Sequence, residues 1–168
     1  MFYETERFMK EASKVKDNLF EVFKTEWSDM KTLMAYLEQD GIEKVICHND
    51  INADNCLLTD NSFDIRDWEF AGWNDPAFDF GRIIAEYDFE STEIDEILEA
   101  YFGRSATAIE RLHWIAYIAV HSWYYIGWGM YKESIQEETK DWIMFFYKKL
   151  KSVLKYVLPR YENIYGKI

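Results

Sequence analysis

Cys47-His48-Asn49-Asp50-Ile51-Asn52-Ala53-Asp54-Asn55-Cys56-Leu57-Leu58 is followed, after a short polar stretch, by Ile65-Arg66-Asp67-Trp68-Glu69. The apolar run ahead of it, Lys44 to Cys47, reads as a short strand leading into a polar loop. Beyond the loop, Cys56 to Thr59 and Phe63 to Ile65 read as two strands joined tightly through Asp60-Asn61. A loop fixed at one end by a strand and at the other by a hairpin holds its side chains at one focus. The rest of the chain is dominated by helical periodicity. The expected fold class is therefore mainly α (α+β), a helical bundle with a small β-hairpin carrying the loop.

The spacing within the loop is His-x-Asp, four residues, then Asn, with a second Asp delivered by the hairpin. Phosphoryl transfer needs these parts. Asp50 can accept the proton of an attacking hydroxyl, and Asn55 and Asp67 can hold Mg²⁺ on nucleotide phosphates. The kinase catalytic loop, His-Arg-Asp-x-x-x-x-Asn, has this spacing, with Asn49 here in place of Arg. Asp67-Trp68-Glu69 stands where kinases carry Asp-Phe-Gly. Loops rich in Asp and Asn are common as plain solvated turns. The preceding strand, the apolar Cys56-Leu57-Leu58 and the hairpin distance to Asp67 together favour the phosphotransfer reading.

The chain has 168 residues, 49% of them hydrophobic and 18% aromatic, enough for one domain with a core of its own. Its formal net charge of -12 argues against nucleic-acid binding through phosphate neutralisation. An acidic surface suits a small cationic substrate by long-range attraction, or serves solubility alone. Cys47 and Cys56 have no matching His pair, which argues against a zinc site. Met1-Phe2-Tyr3-Glu4-Thr5-Glu6 shows no basic segment before an apolar core, so no signal peptide is expected and a reducing cytoplasm is the default. Leu112 to Tyr131 lacks Asp, Glu, Lys and Arg and is long enough to span a bilayer. His113, His121, Ser122 and two glycines favour a buried helix instead, with no membrane span.

Residues 2 to 39 read as helix in two pieces, with Phe8, Met9, Ala12, Val15, Leu19, Val22 and Phe23 at helical steps. Ser28-Asp29 has the composition of a new N-cap, and Gly41 that of a C-terminal stop. Phe70 to Pro76 reads as a turn in which Asp75 caps and Pro76 opens the next helix. Asp79, early in that helix, either accepts backbone N–H groups of the polar loop or is a favourable charge near a helix N-terminus. Ser91-Thr92-Glu93 opens a helix closed at Gly103. Thr107 to Glu110 has capping-box spacing and opens an aromatic helix through Tyr131. The last helix is expected over Glu137 to Leu158, ended by Pro159.

The blocks Cys47-His48-Asn49-Asp50 to Asn55-Cys56-Leu57-Leu58 and Asp67-Trp68-Glu69-Phe70-Ala71-Gly72-Trp73-Asn74-Asp75-Pro76-Ala77-Phe78-Asp79 resemble the choline/ethanolamine kinase family, particularly its bacterial choline kinases. That family is related to the aminoglycoside phosphotransferases and shares the protein-kinase-like fold. The resemblance implies a single kinase-like C-terminal lobe over residues 1–168. Its catalytic loop is 47–57, its metal-binding segment 65–79, and its aromatic helices lie at about 106–158. It further implies Asp50 as catalytic base, His48 as support for the loop, Asn55 and Asp67 as Mg²⁺ and ATP ligands, and Glu69 as an added metal or substrate contact. In this family a quaternary ammonium sits in a cage of aromatic rings. Trp123, Tyr125 and Trp128 on one helix and Trp142 on the next become cage candidates, although aromatics at helical spacing are more often core.

A complete kinase fold also carries a Gly-rich phosphate loop, a strand Lys and its partner Glu. None is identifiable before His48. The expected function is a choline/ethanolamine kinase-like phosphotransferase lobe, weak or inactive by itself, taking a small cationic amino alcohol. Two alternatives stand beside it. One is a non-catalytic module binding a choline-like cation. The other is half of a split kinase that needs an N-terminal-lobe partner chain or self-associates through an uncovered face.

Overall fold

The computed structural model describes residues 2–15, 19–87 and 89–168, without the side chains of Phe2, Tyr3, Leu19 and Phe20. In chain order it has α1 (Phe2–Ala12), α2 (Leu19–Val22), α3 (Lys24–Gln39), β1 (Val45–Cys47), β2 (Cys56–Leu58), β3 (Phe63–Ile65), β4 (Gly72–Asn74), α4 (Ala77–Glu86), α5 (Ser91–Phe102), α6 (Ala108–Ser134) and α7 (Lys140–Tyr165). The expected apolar stripe of the first helix is only partly buried. Met9, Ala12 and Phe23 are in the core, whereas Val15 and Val22 are exposed. The side chain of Leu19 and the expected helix across 16–18 lie outside the described residues.

The charge-free segment forms the centre of the molecule. Residues 112 to 123 of α6 are buried without a break. A helix apolar all round must be covered all round, and α1, α3, α4 and α7 pack against this one. Among the described residues no helix is long and apolar enough to cross a membrane. Local signals set its start: Thr107 and Glu110 form a reciprocal capping box. Gly103, at φ 65°, closes α5, and Gly41, at φ 64°, follows α3.

Three boundaries differ from the sequence reading. Ser28 and Asp29 lie inside α3 and cap nothing, because the first turn starts at Lys24. That turn is anchored by buried Glu26, which takes Lys151 Nζ at 2.9 Å and the Tyr147 hydroxyl at 3.0 Å. The stretch expected to be a turn contains β4, which pairs antiparallel with β1 in the register Ile46↔Trp73. There are thus two small sheets, β1–β4 and the expected hairpin β2–β3. Finally, α7 begins at Lys140 and runs through Pro159 to Tyr165. Proline removes one helical hydrogen bond, but the turns beyond it are held by tertiary contacts. Tyr161 is fully buried and stacks on Tyr36 at 5.4 Å, and the Tyr161 and Tyr165 hydroxyls each donate to Asp40 at 2.7 Å.

Candidate active site

The polar loop between β1 and β2 is shaped by α4. Asp79 accepts the backbone N–H of His48 at 2.7 Å and that of Asn49 at 2.8 Å, one on each oxygen. Asn49 sits in the left-handed region, φ 66°, which costs a non-glycine residue about 1 kcal/mol. The charged acceptor offsets that cost. So do the Asn49 side-chain bonds, Nδ2 to the Phe70 carbonyl at 2.8 Å and Oδ1 from Asn74 Nδ2 at 2.9 Å. The helix that carries Asp79 lies close on α6. A Cβ on Gly81 would meet Tyr117 Cβ at 2.7 Å, so glycine here permits the close crossing of the two helices.

His48 is buried and links the loop to the hairpin. Its Nδ1 accepts from the Asp50 N–H at 3.2 Å and its Nε2 donates to the Arg66 carbonyl at 2.6 Å, which fixes the neutral Nε2–H tautomer. The Trp68 ring packs against its imidazole at 4.8 Å. Asn55 donates Nδ2 to the Asp50 carbonyl at 2.9 Å and to Asp50 Oδ2 at 3.3 Å. Both bonds use the nitrogen, so Oδ1 of Asn55 is left as an acceptor.

Asp67 is the N-cap position of a short 3₁₀ turn, Trp68–Phe70, with φ 61°. The residue before it is tied to the same loop from two sides, because the Arg66 N–H bonds the Asn55 carbonyl at 2.8 Å and its carbonyl takes His48 Nε2–H. Asp67 and Glu69 are exposed, and among the described residues the side chain of neither has a hydrogen-bond or ion-pair partner. The free Asp67 carboxylate and the Asn55 amide oxygen are hard oxygen donors of the kind Mg²⁺ takes together with phosphate oxygens and water. The donor set fits that ion.

A cleft of about 650 Å³ opens beside the loop, lined by Asn52, Asp54, Arg82, Glu86, Trp142 and Phe146 among others. Arg82 Nη1 lies 2.6 Å from Asp50 Oδ1, and Arg82 Nε lies 3.6 Å from Glu86 Oε1. Tyr125 is buried behind the cleft and donates its hydroxyl to Glu86. Burial, then the Glu86 carboxylate, raise its phenol well above the usual range despite the opposing pull of Arg82. The Tyr125 ring packs on Trp142 at 5.3 Å and on Phe146 at 4.4 Å. Trp128 stands on the far side of Trp142 at 5.7 Å.

Of the four rings expected in the cage, only Trp142 is among the residues lining this cleft; Tyr125 is buried behind it, and Trp128 and Trp123 are outside its lining. Trp123 is fully buried in the core, 6.1 Å from Phe23. Residues two apart on a helix do not face the same way, so Trp123 and Tyr125 cannot share a pocket. Arg82 and Glu86, by contrast, were missed by the sequence reading. The signal was present: Arg82 is three positions after Asp79 and Glu86 four after Arg82, so all three lie along one face of α4.

A second polar group braces the segment from behind. Buried His113 bridges Asp40 at 2.6 Å through Nδ1 and Asp75 at 2.8 Å through Nε2. The other oxygen of Asp75 caps α4 by accepting the Ala77 N–H at 2.9 Å. Cys47 lies alongside, its thiol pushed up to about 11 by burial and by Asp79 and Asp75, so it remains protonated.

The profile of the phosphotransferase enzyme family, APH, matches residues 3–115. The chain belongs to this family. Over 59 residues this phosphotransferase-family chain is 41% identical to Protein LicA of Haemophilus influenzae, a match covering 35% of the chain and 22% of LicA. A choline/ethanolamine kinase family protein of Mesorhizobium loti superposes with TM-score 0.82 at 22% identity, over 96% of this chain and 56% of that one. Choline kinase LicA of Streptococcus pneumoniae superposes with TM-score 0.72 at 18% identity, over 92% of this chain and 54% of that one. LicA in complex with AMP also superposes, with TM-score 0.75 at 19% identity, over 93% of this chain and 54% of that one. These identities establish the fold, the helical C-terminal lobe of the kinase-like architecture. The chain spans 22% of the length of the curated relative and little more than half of each solved one.

Proposed function

We propose that this chain is the acceptor-binding and catalytic lobe of a choline/ethanolamine kinase-like phosphotransferase. Its chemistry is transfer of the ATP γ-phosphate to the hydroxyl of choline or a similar small amino alcohol, and its setting is the cytoplasm. The observation that carries the reading is the convergence on one loop of Asp50, Asn55 and the segment holding Asp67, pinned by His48 and Asp79. Asp50 takes the proton of the acceptor hydroxyl. Asn55 Oδ1 and Asp67 would hold a Mg²⁺, which would supply charge neutralisation on the nucleotide phosphates. His48 and Asp79 hold the loop in register, so the donors need not reorganise during transfer. Trp142, backed by Tyr125 and Trp128, with Glu86 beside it, offers ring faces and a carboxylate to a quaternary ammonium. Each such ring contact contributes roughly 0.5 to 2 kcal/mol. Glu69, exposed two residues after Asp67, supplies an added metal or substrate contact.

No stretch before His48 reads as a nucleotide clamp, and positioning supplies nearly all the rate in phosphoryl transfer. The chain by itself is therefore expected to transfer phosphate weakly or not at all. The test is transfer of labelled γ-phosphate from ATP to choline, with and without Mg²⁺, for the wild type and Asp50→Ala. A trace activity that needs both Mg²⁺ and Asp50 supports the assignment. Robust turnover by the 168-residue chain refutes the clause on inactivity, and turnover that survives Asp50→Ala refutes the assignment of the base.

Two further readings each rest on an observation. The aromatic cleft exists independently of any nucleotide clamp, which favours a cation-binding module. Saturable choline binding without nucleotide, lost in Trp142→Ala, supports it. Ile46 and Trp73, cross-strand neighbours, and Leu58 and Phe63, likewise paired, are all exposed, as is Phe70. An apolar face of this kind suits a partner, either an N-terminal-lobe chain or a second copy. Sedimentation as a monomer at high concentration counts against self-association.

A further inference from the structure

The guanidinium of Arg82 lies where the proposed reaction needs a different cation. It is 2.6 Å from Asp50, 3.6 Å from Glu86, and its Cζ is 5.7 Å from the centre of the Tyr125 ring. Two carboxylates and an aromatic face are the partners that an ammonium group seeks. The side chain is 15% exposed and lines the cleft. It is also incompletely satisfied. Its Nε is buried with no hydrogen-bond partner among the described residues, because Glu86 Oε1 lies too far away and takes the Tyr125 hydroxyl instead. Arg82 thus makes one close ion pair and one loose one in a site built for positive charge.

We propose that Arg82 is a specificity-determining residue whose guanidinium occupies the cation subsite of the cleft, so that a cationic acceptor binds by displacing it from Asp50. This rests on the reading of the cleft as the acceptor site. A small amino alcohol carries its charge a few bonds from its hydroxyl. With the hydroxyl at Asp50, its nitrogen falls in the space the guanidinium fills, and two like charges cannot share it. Displacement couples recognition to catalysis: the same event that admits the cation frees Asp50 Oδ1 to take a proton. An acceptor without positive charge leaves the pair closed and the base masked. The tethered cation therefore lowers affinity for every cation and selects for those that also gain ring contacts.

The size of the effect follows from occupancy. A tethered competitor present nine-tenths of the time weakens binding of the free cation about tenfold. The probe is tetramethylammonium, titrated calorimetrically into the 168-residue chain, its Arg82→Gln variant and its Arg82→Lys variant, with circular dichroism as the check on folding. Arg82→Gln is expected to bind about tenfold more tightly, and Arg82→Lys close to wild type. Equal or weaker binding by Arg82→Gln, with binding by the wild type intact, overturns the proposal and leaves the cleft reading standing. Absence of binding by all three removes the cleft reading and this proposal with it. If Arg82→Gln does not fold, the wild type decides. The nuclear magnetic resonance signal of the Arg82 Nε–H is expected to move in step with tetramethylammonium binding, and a signal fixed through saturation overturns the displacement.

Discussion

Replacing Asp79 by Asn tests how the polar loop is held. The substitution keeps the shape of the side chain and removes its charge. Each carboxylate oxygen now accepts one backbone N–H, from His48 at 2.7 Å and Asn49 at 2.8 Å. An amide retains one of these bonds, reduced from charge-assisted to neutral, a loss of about 1 kcal/mol. Its NH₂ faces the other N–H, leaving a part-buried donor unsatisfied at a cost of about 2 kcal/mol. The expected destabilisation is thus about 3 kcal/mol, a large share of the 5–15 kcal/mol typical of a domain. Asn49 also loses its compensation for a left-handed backbone. The assay is urea unfolding combined with amide hydrogen exchange. The His48 and Asn49 amides should exchange much faster in the variant, and the unfolding midpoint should fall. If both amides keep their protection and the stability changes by less than about 1 kcal/mol, Asp79 is only a favourable charge near a helix start, and the account of loop positioning is wrong.

Other perturbations have equally definite outcomes. Burial pulls His113 down, but its hydrogen bonds to Asp40 and Asp75 outweigh this and raise it above the usual histidine range. The stability it confers is complete below its unfolded pKa, about 6.5, and is lost as pH rises through the higher folded value. Melting temperature should therefore decline on the alkaline side of that point, and His113→Leu should abolish the decline. Asp40 is desolvated, yet held below its usual range by His113, Tyr161 and Tyr165. Its contribution is present above about pH 3.9 and disappears as pH falls through the lower folded value, which acid titration of Tyr161→Phe should blunt. Gly81→Ala drives a Cβ into Tyr117 and should cost about 1–3 kcal/mol in urea unfolding. A neutral result would mean that α4 and α6 can separate freely. Pro159→Ala restores an N–H inside α7 and should raise the melting temperature, by up to about 3 kcal/mol of stability. A drop would show that the proline fits a bend the helix needs.

How much of this was legible depended on how local the cause was. The hairpin β2–β3 followed from Asp60-Asn61 between apolar runs, and the start of α6 from Thr107 and Glu110, because each feature is settled within a few residues. The loop motif was legible because its spacing is a chemical requirement. β4 was not: Gly72-Trp73-Asn74 has no period to read, and its partner β1 lies far earlier in the chain, beyond the whole β2–β3 hairpin, in the register Val45↔Asn74 to Cys47↔Gly72. The passage of α7 through Pro159 reverses a sound local rule, since the buried Tyr161 and the bonds to Asp40 lie far off in sequence. Trp123 was assigned by residue type, whereas its direction on the helix decided its place. Arg82 was accessible through its spacing of three from Asp79, which puts both on one helix face, but a charge on an amphipathic helix reads first as a solvated one.

The contacts of α7 have a reach beyond its own packing. Tyr161 and Tyr165 grip Asp40, Asp40 grips His113, His113 grips Asp75, and Asp75 opens the helix that steadies the polar loop. Tension applied near the carboxyl end therefore has a non-covalent route, side chain by side chain, to the start of α4 and the loop it holds. Trimming the chain at Pro159, or fusing a bulky group close behind Tyr165, should slacken the loop around Asp50 without touching any residue that meets substrate.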